Sequence, residues 1–212
     1  MKLALAIGYS GANMELPVKR VQRAEELGYH SVWTAEAYGS DAMSPLAYLA
    51  AVTSRIKLGT AILILPQHSP VVTAKQIATI DHMSGGRMLL GVGVGWLKEE
   101  FDAIGAEFET RGRRMDEYIA AMRELWSAEE PTFNGKFIRF ESAYCLPQPV
   151  NKRVPVIIGG DSKIAARRAG RIGDGYFPAR GVPEELFAVA RETAIAGRPR
   201  KRPSIAAATV PE

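Results

Sequence analysis

Apolar and polar positions along this chain follow two alternating rhythms. Short runs with little polar interruption, Lys2–Ile7, Ser31–Ala35, Lys57–Leu65, Arg87–Val94 and Val154–Ile158, have the length of strands. Lys57–Leu65 is nearly continuous, as expected of a strand buried on both faces. Between these runs the spacing is helical. Over Glu15–Leu27 the residues Leu16, Val18, Val21, Ala24 and Leu27 recur at helical intervals, with Pro17 near the start and Gly28 just past the end. Further helices are predicted over Pro45–Thr53, from a Ser69-Pro70 start to a Met83-Ser84-Gly85-Gly86 stop, and over Ser162–Gly170. Met115, Ile119, Met122 and Trp126 mark one face of another. Short strands are expected near Gly175–Phe177 and Ser204–Ala208. The rhythm breaks between Ser127 and Val150, where Phe133-Asn134-Gly135-Lys136-Phe137 predicts a hairpin whose Asn-Gly pair suits two positive φ angles.

Strands alternating with helices predict an α/β protein with a parallel sheet. About seven strands are counted, and the pattern leaves two closures open: a doubly wound open sheet and a TIM (β/α)8-type barrel.

Composition narrows the classes. The chain has 212 residues, 47% hydrophobic and 24% charged, which suits one sizeable core. A single cysteine excludes an internal disulfide and a cysteine-built zinc site, and no metal site is expected. No apolar run reaches membrane-spanning length. The N-terminal apolar run is short and lacks a cleavage pattern, so a cytoplasmic location without membrane association is expected. The net charge of +4 is mild. Its densest block, Arg198-Pro199-Arg200-Lys201-Arg202-Pro203, has no interleaved aromatic residue and reads as a solvated loop, so nucleic acid is not an expected partner. A positive bias does help to gather anionic small molecules.

Either closure places chemistry at the C-terminal ends of strands. Four stretches lie there: Glu36, Pro66-Gln67-His68, Gly93-Val94-Gly95-Trp96 and Gly159-Gly160-Asp161-Ser162. Gly91 to Trp96 fails as a dinucleotide fingerprint, because Trp96 replaces the final glycine and no acidic residue follows at a second strand end. It reads instead as backbone exposed to a flat ligand, with Trp96 as one wall. Gly159-Gly160-Asp161-Ser162 leads into a helix bearing Lys163, Arg167 and Arg168. A phosphate site and a plain loop capped by Ser162 or Asp161 are both open there. His30 and His82 lie away from this edge and read as structural. His68 lies on it, either as a solvated loop residue or as a group that orients substrate or donates a proton. Among carboxylates Glu36 ranks first and Glu99 second. Neither a Ser-His-Asp order, a His-Glu-x-x-His helix nor a Walker loop is present, which removes the familiar hydrolytic machineries.

In order along the chain, Ser31-Val32-Trp33-Thr34-Ala35-Glu36, Arg55-Ile56-Lys57-Leu58-Gly59-Thr60-Ala61, Asp81-His82-Met83-Ser84-Gly85-Gly86-Arg87, Gly91 to Trp96 with Glu99-Glu100-Phe101, and Gly159-Gly160 with Arg171-Ile172-Gly173-Asp174-Gly175 together resemble the luciferase-like monooxygenase family of flavin- and deazaflavin-dependent oxidoreductases. The likeness runs from Met1 to about Ala208. The Gly93-Val94-Gly95-Trp96 variant, with Arg111-Gly112-Arg113-Arg114 downstream, is most similar to the branch that uses coenzyme F420, a deazaflavin, in place of flavin mononucleotide (FMN).

The resemblance implies one barrel domain over 1–212 with the coenzyme across its C-terminal mouth. It implies a bulge in the third strand with a non-proline cis peptide at Ala61–Ile62 against the ring, and the Gly159-Gly160 loop, with Asp161 and Ser162, on the phosphate side. Gly93, Gly95, Trp96 and Glu99 would line the same coenzyme, Glu36 would sit near its ring, and 127–150 would be an insertion serving as a lid. Two departures matter. Ala37 stands where some deazaflavin dehydrogenases have histidine, so their sugar-phosphate chemistry is not carried over. The family's last strand and helix are missing, so the barrel is expected to be truncated, with edges that a homodimer partner or the C-terminal tail would cover. The implied activity is hydride transfer between F420 and a small organic substrate, the reduced coenzyme coming from a separate reductase or dehydrogenase. An FMN-dependent monooxygenase and a non-catalytic flavin- or deazaflavin-binding protein are the alternatives.

Overall fold

The alternation predicted from the apolar runs is present in the computed structural model, which describes residues 2–179 and 184–197. The basic block at 198–203 and the strand expected over 204–208 lie outside these described residues. The strands are β1 (Ala4–Gly8), β2 (Ser31–Thr34), β3 (Lys57–Thr60), β4 (Leu63–Ile64), β5 (Met88–Gly93), β6 (Phe133–Asn134), β7 (Arg139–Phe140), β8 (Val156–Gly159) and β9 (Gly175–Phe177). The helices are α1 (Val18–Glu26), α2 (Ser44–Val52), α3 (Pro70–Met83), α4 (Lys98–Ala103), α5 (Arg111–Ser127), α6 (Lys163–Ile172) and α7 (Glu184–Gly197). They form two compact units, the first built from residues up to 63, 87–92 and those from 155 onward, the second from 64–86 and 93–154.

The first unit carries the sheet. Its order is β1-β2-β3-β5-β8-β9, every adjacent pair parallel, with β4 as a seventh strand off this path. The order rises along the chain without reversing. A doubly wound sheet must reverse at its switch point, so this winding is that of a barrel. Among the described residues β1 and β9 are its two edges, which makes it a half-barrel.

Inside the sheet, large and small residues alternate across strands. Trp33 on β2 lies directly opposite Gly59 on β3. A methyl group at Gly59 would stand 2.4 Å from the indole, so glycine is what lets the ring lie flat there. The indole N–H donates to Ser31 Oγ at 2.9 Å, and the ring meets Phe177 with centroids 5.4 Å apart.

Several sequence expectations need correction. Lys57–Leu65 is not one strand: it breaks after Thr60, resumes as β4, and turns into a 3-10 segment at Leu65–Gln67. Apolarity reported burial, since Leu63, Ile64 and Leu65 are all buried, but it carries no information on straightness. Helix α1 begins at Val18 and not at Glu15, because a proline disfavours helical backbone in the residue before it. Its buried residues are Val21 and Ala24, while Leu27 is 60% exposed. Ser69 occupies the position before α3 without a side-chain cap; its carbonyl accepts the Thr73 N–H and hydroxyl instead.

Helix α1 is tied to the segment before β3 by one carboxylate. Glu25 accepts the backbone N–H groups of Ser54, Arg55 and Ile56, the shortest at 2.7 Å. Partial burial pushes its pKa up, but the three donors and the Arg55 guanidinium outweigh that and hold it below the usual glutamate range. A folded pKa below the unfolded one means stability that is present at neutral pH and lost as acid protonates the folded carboxylate. The stability difference between the native chain and Glu25→Gln is therefore expected to shrink steadily between about pH 5 and pH 3 in urea titrations. A difference independent of pH would contradict this.

In the second unit Met115, Ile119, Met122 and Trp126 of α5 are all buried, and the Trp126 indole donates to the Ala74 carbonyl of α3 at 3.0 Å. The hairpin forms, pairing Phe133 with Phe140. Its turn differs from expectation: residues 135–138 join the strands, and neither Asn134 nor Gly135 has a positive φ. The Glu117 carboxylate of α5 accepts the N–H groups of Lys136, Phe137 and Ile138 at 3.0, 2.6 and 2.9 Å, so a carboxylate holds the turn that an Asn-Gly geometry was expected to make. The rest of 127–150 is fastened to the same unit, Gln148 donating to the Ala128 carbonyl and Val150 N–H to Asp81 Oδ2.

Candidate active site

Three strand ends of the first unit converge on Ile62. β2 exits through Ala35, whose N–H donates to the Gly8 carbonyl, and Glu36, whose N–H donates to the Ile62 carbonyl at 3.3 Å. Ala61 N–H returns a bond to the Thr34 carbonyl, so the exits of β2 and β3 are stitched together. The Ala61–Ile62 peptide is cis, as the resemblance implied. From β8, a methyl group built on Gly159 would stand 2.5 Å from Ile62 Cγ2. The backbone of β8 thus lies against the Ile62 side chain, and only glycine permits it.

The following loop is held from three sides. Gly160 has φ +113°, a region that side-chain-bearing residues rarely adopt. Tyr176 on β9 donates its hydroxyl to the Gly160 carbonyl at 2.6 Å. Burial, with the Asp161 carboxylate nearby, pushes that phenol up to about 12, so it keeps its proton at any physiological pH. Asp161 Oδ1 accepts the Ala179 N–H at 2.8 Å, and Ser162 Oγ accepts Ala165 N–H at 3.1 Å. Of the two caps left open by the sequence, Ser162 is the cap of α6, and Asp161 serves as an anchor. The donor set still suits a phosphate: side-chain-free backbone at Gly159-Gly160, the N-terminal end of α6, and Lys163 and Arg167 exposed on that helix.

The second unit holds the other candidates. Gly93 ends β5 and is buried. Gly95, at φ +75°, has a packing reason of its own, since a methyl group there would stand 2.7 Å from Ile64 and 2.9 Å from the Phe101 ring. Trp96 is 77% exposed. Glu99 lies exposed in the first turn of α4, while its neighbour Glu100 accepts from Gln67 at 3.0 Å. His68 follows Gln67, half-buried, its N–H bonded to the Leu65 carbonyl. Arg111 stacks over Phe108 at 3.6 Å, and Arg114 bonds Thr110 Oγ1, so the Arg111–Arg114 block braces the start of α5. His82 Nε2 lies 2.5 Å from the Gln148 carbonyl oxygen, a structural contact as expected.

Sequence reading missed Tyr176, the residue that fixes Gly160. The available signal was a tyrosine inside a short apolar strand, since a buried phenol needs a partner. Among the described residues no group of three or more His, Cys, Asp or Glu is placed to hold a metal, and no helix is long and apolar enough to cross a membrane.

Comparison with known proteins adds the following. The family model described as luciferase-like monooxygenase matches residues 6–211. The chain is 33% identical over 200 residues to an F420-dependent glucose-6-phosphate dehydrogenase of Amycolatopsis mediterranei, covering 86% of this chain and 60% of that one. It is 37% identical over 171 residues to an FMNH2-dependent dimethylsulfone monooxygenase of Pseudomonas putida, covering 75% of this chain and 47% of that one. The chain thus spans about half the length of these curated relatives. The crystal structure of the monooxygenase RslO1 from Streptomyces bottropensis superposes with a TM-score of 0.83 at 26% identity, covering 96% of this chain and 69% of that one.

Proposed function

Because this chain belongs to the luciferase-like monooxygenase family, we propose that it is a two-electron oxidoreductase whose coenzyme is the deazaflavin F420. The observation that carries this reading is the convergence of Glu36, Ile62 and Gly159 at the exits of β2, β3 and β8. When bound, the deazaflavin supplies a flat ring whose carbon donates or accepts hydride. The Gly159-Gly160 backbone, the start of α6 and Lys163 would hold its phosphate, with Tyr176 keeping Gly160 in place. Ile62 would offer an apolar surface to the ring and keep water from it. The Glu36 carboxylate would hold or move a proton at a polar atom of the substrate. On the resemblance, Gly93, Gly95, Trp96 and Glu99 are proposed as coenzyme contacts, His68 as a group that orients substrate or donates a proton, and 127–150 as a lid. Reduced coenzyme is proposed to diffuse from a separate reductase or dehydrogenase, and the protein to work as a homodimer. Ala37 argues against glucose 6-phosphate as the substrate, since the histidine of some deazaflavin dehydrogenases is replaced there.

A second reading, reduced FMN with oxygen, is favoured by the dimethylsulfone monooxygenase relative. Titrating the purified protein with F420 and with FMN, followed by absorbance, separates the two. F420 is expected to bind, and Gly160→Val to weaken that binding roughly fivefold to a hundredfold, since a β-branched residue strains the loop backbone by about 1–3 kcal/mol. Binding of FMN alone, with oxygen-dependent turnover, would establish the second reading. Failure of both chromophores to bind would overturn both.

A further inference from the structure

The loops that leave β1 and β2 at the site edge, residues 9–17 and 35–43, expose large apolar side chains: Tyr9 at 52%, Met14 at 55% and Tyr38 at 70%. These loops are not slack. Ser10 N–H donates to Ser40 Oγ at 3.0 Å, and Ser40 N–H donates to the Ser10 carbonyl at 2.9 Å. The Tyr9 ring presses on Gly39, where a methyl group would stand 2.5 Å from the ring and 2.2 Å from the Ser10 carbonyl oxygen. Tyr9 therefore packs against the residue next to Tyr38. Asp41 Oδ1 accepts the Met43 and Ser44 N–H groups, both at 2.8 Å, fixing the far end of the second loop. The Tyr9 ring is thus packed in place while still half exposed, and Tyr38 stands exposed on backbone tied to the same loop, two residues after Glu36. Exposing apolar surface on rigid backbone gains nothing for folding and is characteristic of binding sites.

The charge of the same loops selects the ligand. Neither contains a lysine, arginine or histidine, whereas Glu15, Glu36 and Asp41 all lie in them. Phosphate or carboxylate on a substrate would find only like charge and no donor cation there. A flat uncharged ring would find two aromatic faces and a thioether. Resting on the proposed function, we propose that Tyr9 and Tyr38 are the specificity-determining residues of this site, and that its substrate is an uncharged, flat aromatic compound.

The test uses 2-naphthol as the neutral aromatic probe and glucose 6-phosphate as the charged contrast. Both are titrated by calorimetry into the protein, alone and with oxidised F420 or FMN. 2-Naphthol is expected to bind more tightly than glucose 6-phosphate. Tyr9→Ser and Tyr38→Ser should each weaken it about three- to tenfold, Tyr9→Phe and Tyr38→Phe should restore it, and coenzyme affinity should stay unchanged. Unaltered naphthol affinity in both serine variants, or equal binding of glucose 6-phosphate, would overturn the proposal. So would a loss of self-association in sedimentation velocity without loss of naphthol, which would make the patch a contact between copies. If neither coenzyme binds, the proposed function fails by itself, and the naphthol titration of the protein alone still decides the role of the tyrosines.

Discussion

Replacing Gly91 with alanine is expected to destabilise the half-barrel severely. The methyl group would stand 1.7 Å from the Thr60 carbonyl oxygen, which is backbone in the neighbouring strand and has no rotamer by which to move away. The same pair of residues is further joined by Thr60 Oγ1, which donates to the Gly91 carbonyl at 2.6 Å, so separating the strands also strands a buried hydroxyl. Overpacking of this kind costs about 3 kcal/mol or more, a large part of a domain's stability. Circular dichroism and urea denaturation measure it. Gly59 provides the contrast, because a methyl group there would meet the Trp33 indole, which is a side chain. Gly59→Ala is expected to be partly rescued by Trp33→Phe, whereas no side-chain change rescues Gly91→Ala. A soluble Gly91→Ala variant with native stability would show that β3 and β5 do not approach as described.

Arg87→Met is expected to destabilise by about 3 kcal/mol. Arg87 is 8% exposed, and its guanidinium donates to Thr53 Oγ1 and the carbonyls of Ala50, Thr53 and Ile56 at 2.8 to 3.0 Å. Burial pulls its pKa below the usual arginine range, and the Glu25 carboxylate opposes that fall. Methionine fills the space of the stem but leaves the carbonyls at the end of α2 without these donors, and an orphaned buried acceptor costs its full desolvation. Arg87→Lys keeps the charge but loses the planar fork, so it should recover only part of the loss. Equal midpoints for the methionine variant and the native chain in urea would refute this account.

Arg87 illustrates what a recognisable motif does and does not say. Asp81-His82-Met83-Ser84-Gly85-Gly86-Arg87 contributed strongly to the family resemblance, yet its residues do structural work. Asp81 Oδ2 accepts the Val150 N–H, the Asp81 carbonyl accepts from Gly86 N–H and the Ser84 hydroxyl, and Gly85 and Gly86 have φ of +67° and +81°. Gly95, proposed as a coenzyme contact, also has a packing reason to be glycine, against Ile64 and Phe101. Spacing identifies residues that a fold needs, but it does not separate those that meet a ligand from those that let a chain turn.

Local chemistry decided much of this protein. Strand and helix order, the parallel sheet, the buried face of α5 and the start of α6 follow from periodicity, proline and capping residues, all of which act within a few positions of one another. Periodicity left the direction of winding open and ran straight through the break after Thr60, and it was the family resemblance that implied a barrel with a bulge there. Tertiary structure alone decided the Glu117 grip on the hairpin turn and the Tyr176 hold on Gly160. Those depend on strand register and on side chains reaching residues far away in the chain. Register is set by packing summed over the whole sheet, so no short window of sequence contains it.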